Sequence, residues 1–117
     1  MAVDRNQLKI RYLQDDISMQ LGGIASNLSR AKSLLCTGAN EQVALQLIRE
    51  CQFFIEWSAP TASLALATEL GELQRQLSYW HYHWSTLWSN PEQRSCLAHQ
   101  AQSWSHRILS HSGLLTN

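Results

Sequence analysis

Apolar residues recur along this chain with helical spacing almost from end to end, and the rows they form predict four helices. In the first, over 5–36, Ile10, Ile17, Ile24 and Ala31 stand seven apart, and Leu21, Leu28 and Leu35 form the second row of the same seam. Asp4 is placed to cap its start and Cys36-Thr37-Gly38 to stop it. Gly22-Gly23 leaves the register of that seam intact, so one continuous or mildly kinked helix is expected, at about 1 kcal/mol of propensity per glycine. A close backbone crossing by another helix would account for the small residues. The second helix, 41–58, follows Asn40 as cap and carries Val43, Ala44, Leu47, Ile48, Cys51, Phe54 and Ile55. It stops before Pro60, which disfavours helical geometry at Ala59.

Thr61 is read as the cap of the third helix, 62–89, which holds the cleanest heptads: Leu66, Leu73, Trp80 and Leu87 in one row, Leu70, Leu77 and Trp84 in the other. Asn90-Pro91 opens the fourth, 91–112, whose apolar positions are Leu97, Ala101, Trp104 and Ile108. Gly113 closes it, with Leu114 expected to fold back on Leu109. Every connection is short, so consecutive helices should be antiparallel neighbours. The expected fold is all-α: one domain over 1–117, an antiparallel up-down-up-down four-helix bundle. Reflecting the third helix onto the fourth across Asn90 sets Trp84 against Leu97, Trp80 against Ala101 and Leu77 against Trp104. Large residues then meet small or medium ones.

The lengths do not match. A third helix running to Ser89 should outrun the second by about 15 Å at 1.5 Å per residue. The overhang carries Tyr79-Trp80-His81-Tyr82-His83-Trp84 and Trp88, three of the chain's five tryptophans at four-residue spacing. At the opposite end, Leu8, Ile10, Tyr12 and Leu13 of the first helix also lack cover. Either the first helix breaks at Gly22-Gly23, or the second resumes at an angle, and the chain covers itself; otherwise the overhangs meet a second chain. A symmetric dimer is the commonest form of such a contact.

Charge adds little. Nine lysines and arginines balance nine aspartates and glutamates, so no global field draws in nucleic acid or acidic lipid. The first residues lack a signal-peptide pattern, and no apolar run approaches the roughly 18 residues of a membrane span. Cys36, Cys51 and Cys96 are odd in number and scattered, which suits reduced thiols in a cytoplasmic protein. Cys51 reads as buried, level with Ile24 and Leu70. Cys96 is the best placed for a thiolate, Cys36 the worst, being at a helix C-terminus.

His81 and His83 are two apart and point about 200° apart on a helix, so one metal cannot take both. His99 and His106 share a face but stand two turns apart, and His111 follows alone. Surface or rim positions are expected for all five, with no metal and no cofactor; one axial histidine holding a tetrapyrrole beside the tryptophans is the alternative. Glu69 and Glu72 make a Glu-x-x-Glu pair, read as a solvated face with Arg75 in reach of Glu72, and Asp15-Asp16 is read the same way.

Arg94-Ser95-Cys96-Leu97-Ala98-His99 has an Arg-x4-His spacing that resembles the motif of HEPN-domain ribonucleases, which also lies on a late helix of an all-α domain. The resemblance implies phosphate stabilisation by Arg94 and acid–base work by His99. It covers six residues, and Ser95 replaces the polar residue, often asparagine or aspartate, usual after the arginine. The leading expectation is instead a non-catalytic interaction or regulatory module, homodimeric or bound to another protein. Its anchors would be Trp80, Trp84 and Trp88, with Tyr79, Tyr82 and Trp57 in support. Tyr82 stands opposite the heptad stripe and is the aromatic least explained by a core.

Overall fold

Two aspartates divide the first apolar seam into two helices. In a computed structural model that describes residues 4–113, α1 spans Arg5–Gln14 and α2 spans Ile17–Thr37. Asp15 and Asp16 between them have extended backbone, and the Asp16 carboxylate accepts the Met19 N–H at 2.9 Å. Aspartate competes for backbone donors and so favours a cap over a helix interior. The single helix expected over 5–36 is therefore broken, at Asp15-Asp16; α2 runs unbroken through Gly22-Gly23. The rest of the described chain comprises α3 (Glu41–Ser58), a 3-10 turn (Ala59–Thr61), α4 (Leu64–Tyr82), α5 (Trp84–Ser89) and α6 (Pro91–Ser112). All regular structure among the described residues is helical.

Caps explain most of the boundaries. Asp4 accepts from the N–H groups of Asn6 and Gln7, and Asn90 from those of Glu92 and Gln93, ahead of Pro91 at the first helical position. Gly38 and Gly113 end α2 and α6 in left-handed conformation. Asn40 precedes α3 but is itself left-handed and makes no side-chain cap bond. Ser63, rather than Thr61, caps α4 by accepting the Leu66 N–H. The contact foreseen for Leu114 lies outside the described residues.

One contiguous core runs through α2, α3, α4, α5 and α6, with Ile24, Leu28, Ile48, Leu70, Leu73, Leu77, Ala101 and Ile108 fully buried. Helix α2 packs closely on α6 and on α3. The buried rows here hold small residues, among them Ala25, Ala31, Ala98, Ala101 and Ser105. The backbones come near enough for Ser105 Oγ to donate to the Ala25 carbonyl at 2.9 Å. Gly22 borders the same seam beside Ser105 and Leu109, so the helix that crosses it is α6. Cys51 Sγ lies 3.6 Å from the Ile24 carbonyl, in the foreseen level. Between α4 and α6 larger side chains hold the backbones apart, and Gln76–Gln100, Gln76–Trp104 and Glu69–Arg107 bridge the gap within about one turn of the reflected register.

The broken first helix places α1 against α3. Tyr12 is buried, stacked on Phe54 with ring centroids 4.3 Å apart and tilted against Trp57 at 5.7 Å. Its neighbours fare differently: Leu8 is half-buried, while Ile10 (56%) and Leu13 (48%) stay exposed. The heptad row from Ile10 to Ile17 is thus not a structural row, because the turn at Asp15-Asp16 changes the face. Val43, assigned to the stripe of α3, is exposed as well.

Candidate interaction surface

The aromatic run Tyr79–Trp84 is where the third predicted helix gives way. Helix α4 ends at Tyr82, and His83 sits at φ −100° and ψ 18° before α5 resumes at Trp84. Six consecutive Tyr, Trp and His residues have only middling helix propensity, so a bend here costs little. What it achieves is burial. Trp84, Leu87 and Trp88, at helical spacing on α5, turn onto the end of the molecule where α3 begins. The Trp84 indole N–H donates to Glu41 Oε2 at 3.1 Å, and its ring lies on Trp88 with centroids 5.4 Å apart.

The three tryptophans expected to meet a partner are therefore enclosed by their own chain: Trp80 is 1% exposed, and Trp84 and Trp88 are buried beside it. The aromatic surface that remains is the other side of the run. Tyr79 is 58% exposed and Tyr82 85%, and the His83 ring lies between them, 4.4 Å from Tyr79 and 4.9 Å edge-on to Tyr82. Trp57 is half-buried in the α1 contact and contributes nothing here.

An open cleft of about 390 Å³ adjoins Tyr79, lined also by Glu72, Arg75, Gln76 and Trp104. It follows from the wide spacing of α4 and α6. Its floor is held by the Trp104 indole donating to Gln76 Oε1 and by Arg107, whose guanidinium covers the Trp104 ring at 3.9 Å. Arg107 also pairs with Glu69 and, at 3.6 Å, with Glu72, while His111 Nε2 lies 3.4 Å from Glu69. The Glu-x-x-Glu pair is thus engaged from α6 and not by Arg75. Among the described residues no three His, Cys, Asp or Glu side chains gather as a metal site would require.

The Arg94/His99 pair is not drawn together. Arg94 is half-buried at the mouth of α6, where its guanidinium donates to the Trp88 carbonyl at 3.3 Å and lies 5.5 Å from that ring. A methyl group on Gly38 would sit 2.7 Å from it, so Arg94 fills the space the glycine leaves. His99 is exposed, and five residues on a helix turn it by about 140° from Arg94. His83, His99 and His106 are all on the surface. His81 is too; its Nδ1 lies 3.3 Å from an Arg49 nitrogen, and partial burial followed by that positive charge lowers its pKa below the ordinary histidine value. Burial pushes the Cys51 thiol well up, which leaves it inert, while Cys36 and Cys96 are exposed and free.

Two residues that periodicity does not single out, Gln20 and Ser58, hold α1 in place. Tyr12 Oη donates to the Gln20 carbonyl at 3.0 Å and meets Ser58 Oγ at 2.6 Å; Ser58 Oγ donates to Gln20 Oε1 at 3.1 Å. Three oxygen contacts share two protons, which closes when the phenol proton is shared between Ser58 and the carbonyl. Gln20 Nε2 returns to the carbonyls of Tyr12 and Asp15. Burial raises the Tyr12 phenol far above its usual range, so it stays protonated. The only sequence signal for this network is two polar residues at positions facing the core.

No protein-family model matches the chain, and no curated protein or solved structure does either. The functional reading therefore rests on geometry alone. No helix among the described residues is long and apolar enough to cross a membrane.

Proposed function

We propose that this chain is a non-catalytic protein-interaction module that meets its partner through the outer face of α4, with Tyr79, Tyr82 and His83 at the centre. One observation carries this reading: two tyrosines and a histidine form a contiguous surface of touching rings, tilted and edge-on to one another, with Tyr82 85% exposed. Tyrosine presents a large rigid area that loses little entropy on contact, and central aromatic residues of this kind dominate binding energies. Trp80, Trp84 and Trp88 act from beneath, as the packed base that holds the surface in shape. The scaffold we assign is an antiparallel up-down-up-down arrangement of α2, α3, α4 and α6, closed at its two ends by α1 and α5. A cytoplasmic setting suits three thiols that remain unpaired.

The test is contact mapping in living cells. With Tyr82 replaced by a photo-crosslinking benzophenone amino acid, illumination should yield one dominant protein adduct, and the same replacement at exposed His106 on α6 should not. Equal labelling at both positions, or no protein adduct at position 82, overturns the proposal.

A further inference from the structure

We infer that the partner of this module presents an acidic peptide segment, bound along the flank of α3 that joins α1 to α4, on Arg5, Arg49 and His81. The inference rests on the interaction reading above and adds the chemistry of the partner.

Phe53 lies half-buried on α3, one turn from Arg49 and one from Trp57, whose ring stacks on it at 6.0 Å. Two guanidiniums sit over this one ring, Arg5 of α1 with its central carbon 4.2 Å from the centroid and Arg49 at 5.3 Å. Like charges repel, so such a gathering is normally offset by a carboxylate. Here none offsets it. Neither Arg5 nor Arg49 forms an ion pair with any described residue, and neither does exposed Lys9, one turn along α1 from Arg5. The carboxylates nearest in the chain are engaged elsewhere or stand off: Asp4 caps α1, Glu50 accepts from Asn27 at 3.2 Å, and Glu56, on the exposed side of α3 beyond Phe53, pairs with neither arginine.

A guanidinium over a ring uses its face there and keeps its N–H donors, so one arginine can hold an aromatic and take a carboxylate bidentately at once. Arg49 is held in place by donating to Gln52 Oε1 at 2.9 Å, and the same nitrogen lies 3.3 Å from His81 Nδ1 on α4. Partial burial and the Arg49 charge favour the neutral His81 ring. With Nδ1 turned to the guanidinium, the ring proton sits on Nε2, a further donor for an anion. His81 adjoins Tyr82 in the chain, so this flank borders the tyrosine surface. Donors spread over three helices suit several carboxylates on one extended segment better than a single small anion. A nucleic-acid strand fits less well, since it is commonly held by about 6–10 phosphate contacts, more than this flank offers on a chain of zero net charge.

Titration of the isotope-labelled protein with octaglutamate, followed by NMR, tests this. The side-chain signals of Arg5, Arg49 and His81 should move, and octalysine at the same ionic strength should leave them in place. Arg5→Gln with Arg49→Gln should weaken octaglutamate binding at least ~10-fold. Helical content should not change, since neither side chain is fully buried. Arg5→Lys with Arg49→Lys, which keeps the charge and loses the planar fork, should recover part of the affinity. No shifts with octaglutamate, equal affinity for octalysine, tighter binding of an oligothymidylate of equal charge, or an affinity unchanged in the double glutamine variant overturns the inference. The crosslink at position 82 separates this from the interaction reading. An adduct undiminished in the double glutamine variant leaves that reading standing and removes only the acidic partner; with no adduct in the unaltered background, both fall.

Discussion

Gly38 and Gly71 look alike in the sequence and do opposite things. Gly38 is left-handed at φ +69° and its missing Cβ is occupied by Arg94, so Gly38→Ala should cost about 1–3 kcal/mol, read as a lowered urea midpoint. Gly71 is helical with open space above it, so in the monomer Gly71→Ala should add about 0.5–1 kcal/mol. Gly38 was legible as a helix stop because it follows an apolar seam. Gly71 was not, because an empty volume is a property of neighbours distant in sequence. The same holds for Tyr12. Its phenol is satisfied by Gln20 and by Ser58, a residue 46 positions away, and no local pattern reports such a pairing. Tyr12→Phe keeps the stacking on Phe54 but leaves two buried acceptors short of a donor; a loss of about 1–3 kcal/mol is expected in denaturant titration.

At the scale of elements, helical character was readable almost throughout, and the departures come at two breaks. Heptad rows report which residues are apolar at helical spacing, and they continue across a break when the next helix happens to keep phase. Ile10 and Ile17 do so across Asp15-Asp16, yet Ile10 is exposed. Two adjacent aspartates were the available signal, since Asp16 is a good cap and a poor interior residue. Asp16→Ala should therefore cost about 1 kcal/mol and speed amide exchange in the first turn of α2, at Met19 above all. The bend at His83 had no such signal, as neither proline nor glycine marks it. It exists because α5 gains burial for Trp84, Leu87 and Trp88 by tilting onto the end of the molecule where α3 begins, which the local chain does not decide.

For the whole molecule, the two overhangs are resolved from within: α1 folds onto α3, and α5 onto the opposite end. Trp84→Ala removes a buried ring and leaves Glu41 without its indole donor, so a loss of about 3–5 kcal/mol is expected, enough to lower the thermal midpoint by many degrees. The pH response follows from His81. Its pKa is lower folded than unfolded, so below the ordinary value of about 6.5 the unfolded chain takes up the proton more readily. Stability should fall as pH drops through that range and level off above it, a modest effect because the ring faces solvent. His81→Gln should flatten it in unfolding curves taken across the range.

By itself the sequence determined the all-helical class, the cap at Asp4, the stops at Gly38 and Gly113, the Asn90-Pro91 turn and the buried position of Cys51, all of which depend on residues within a few positions or on a regular period. Only the tertiary structure decided which aromatics are core and which are surface. Trp80 and Tyr79 are adjacent in the chain, and Tyr82 and Trp84 are two apart, so composition cannot separate them. Their fates depend on the bend at His83 and on the gap between α4 and α6, and both arise from how large side chains on different helices fit together.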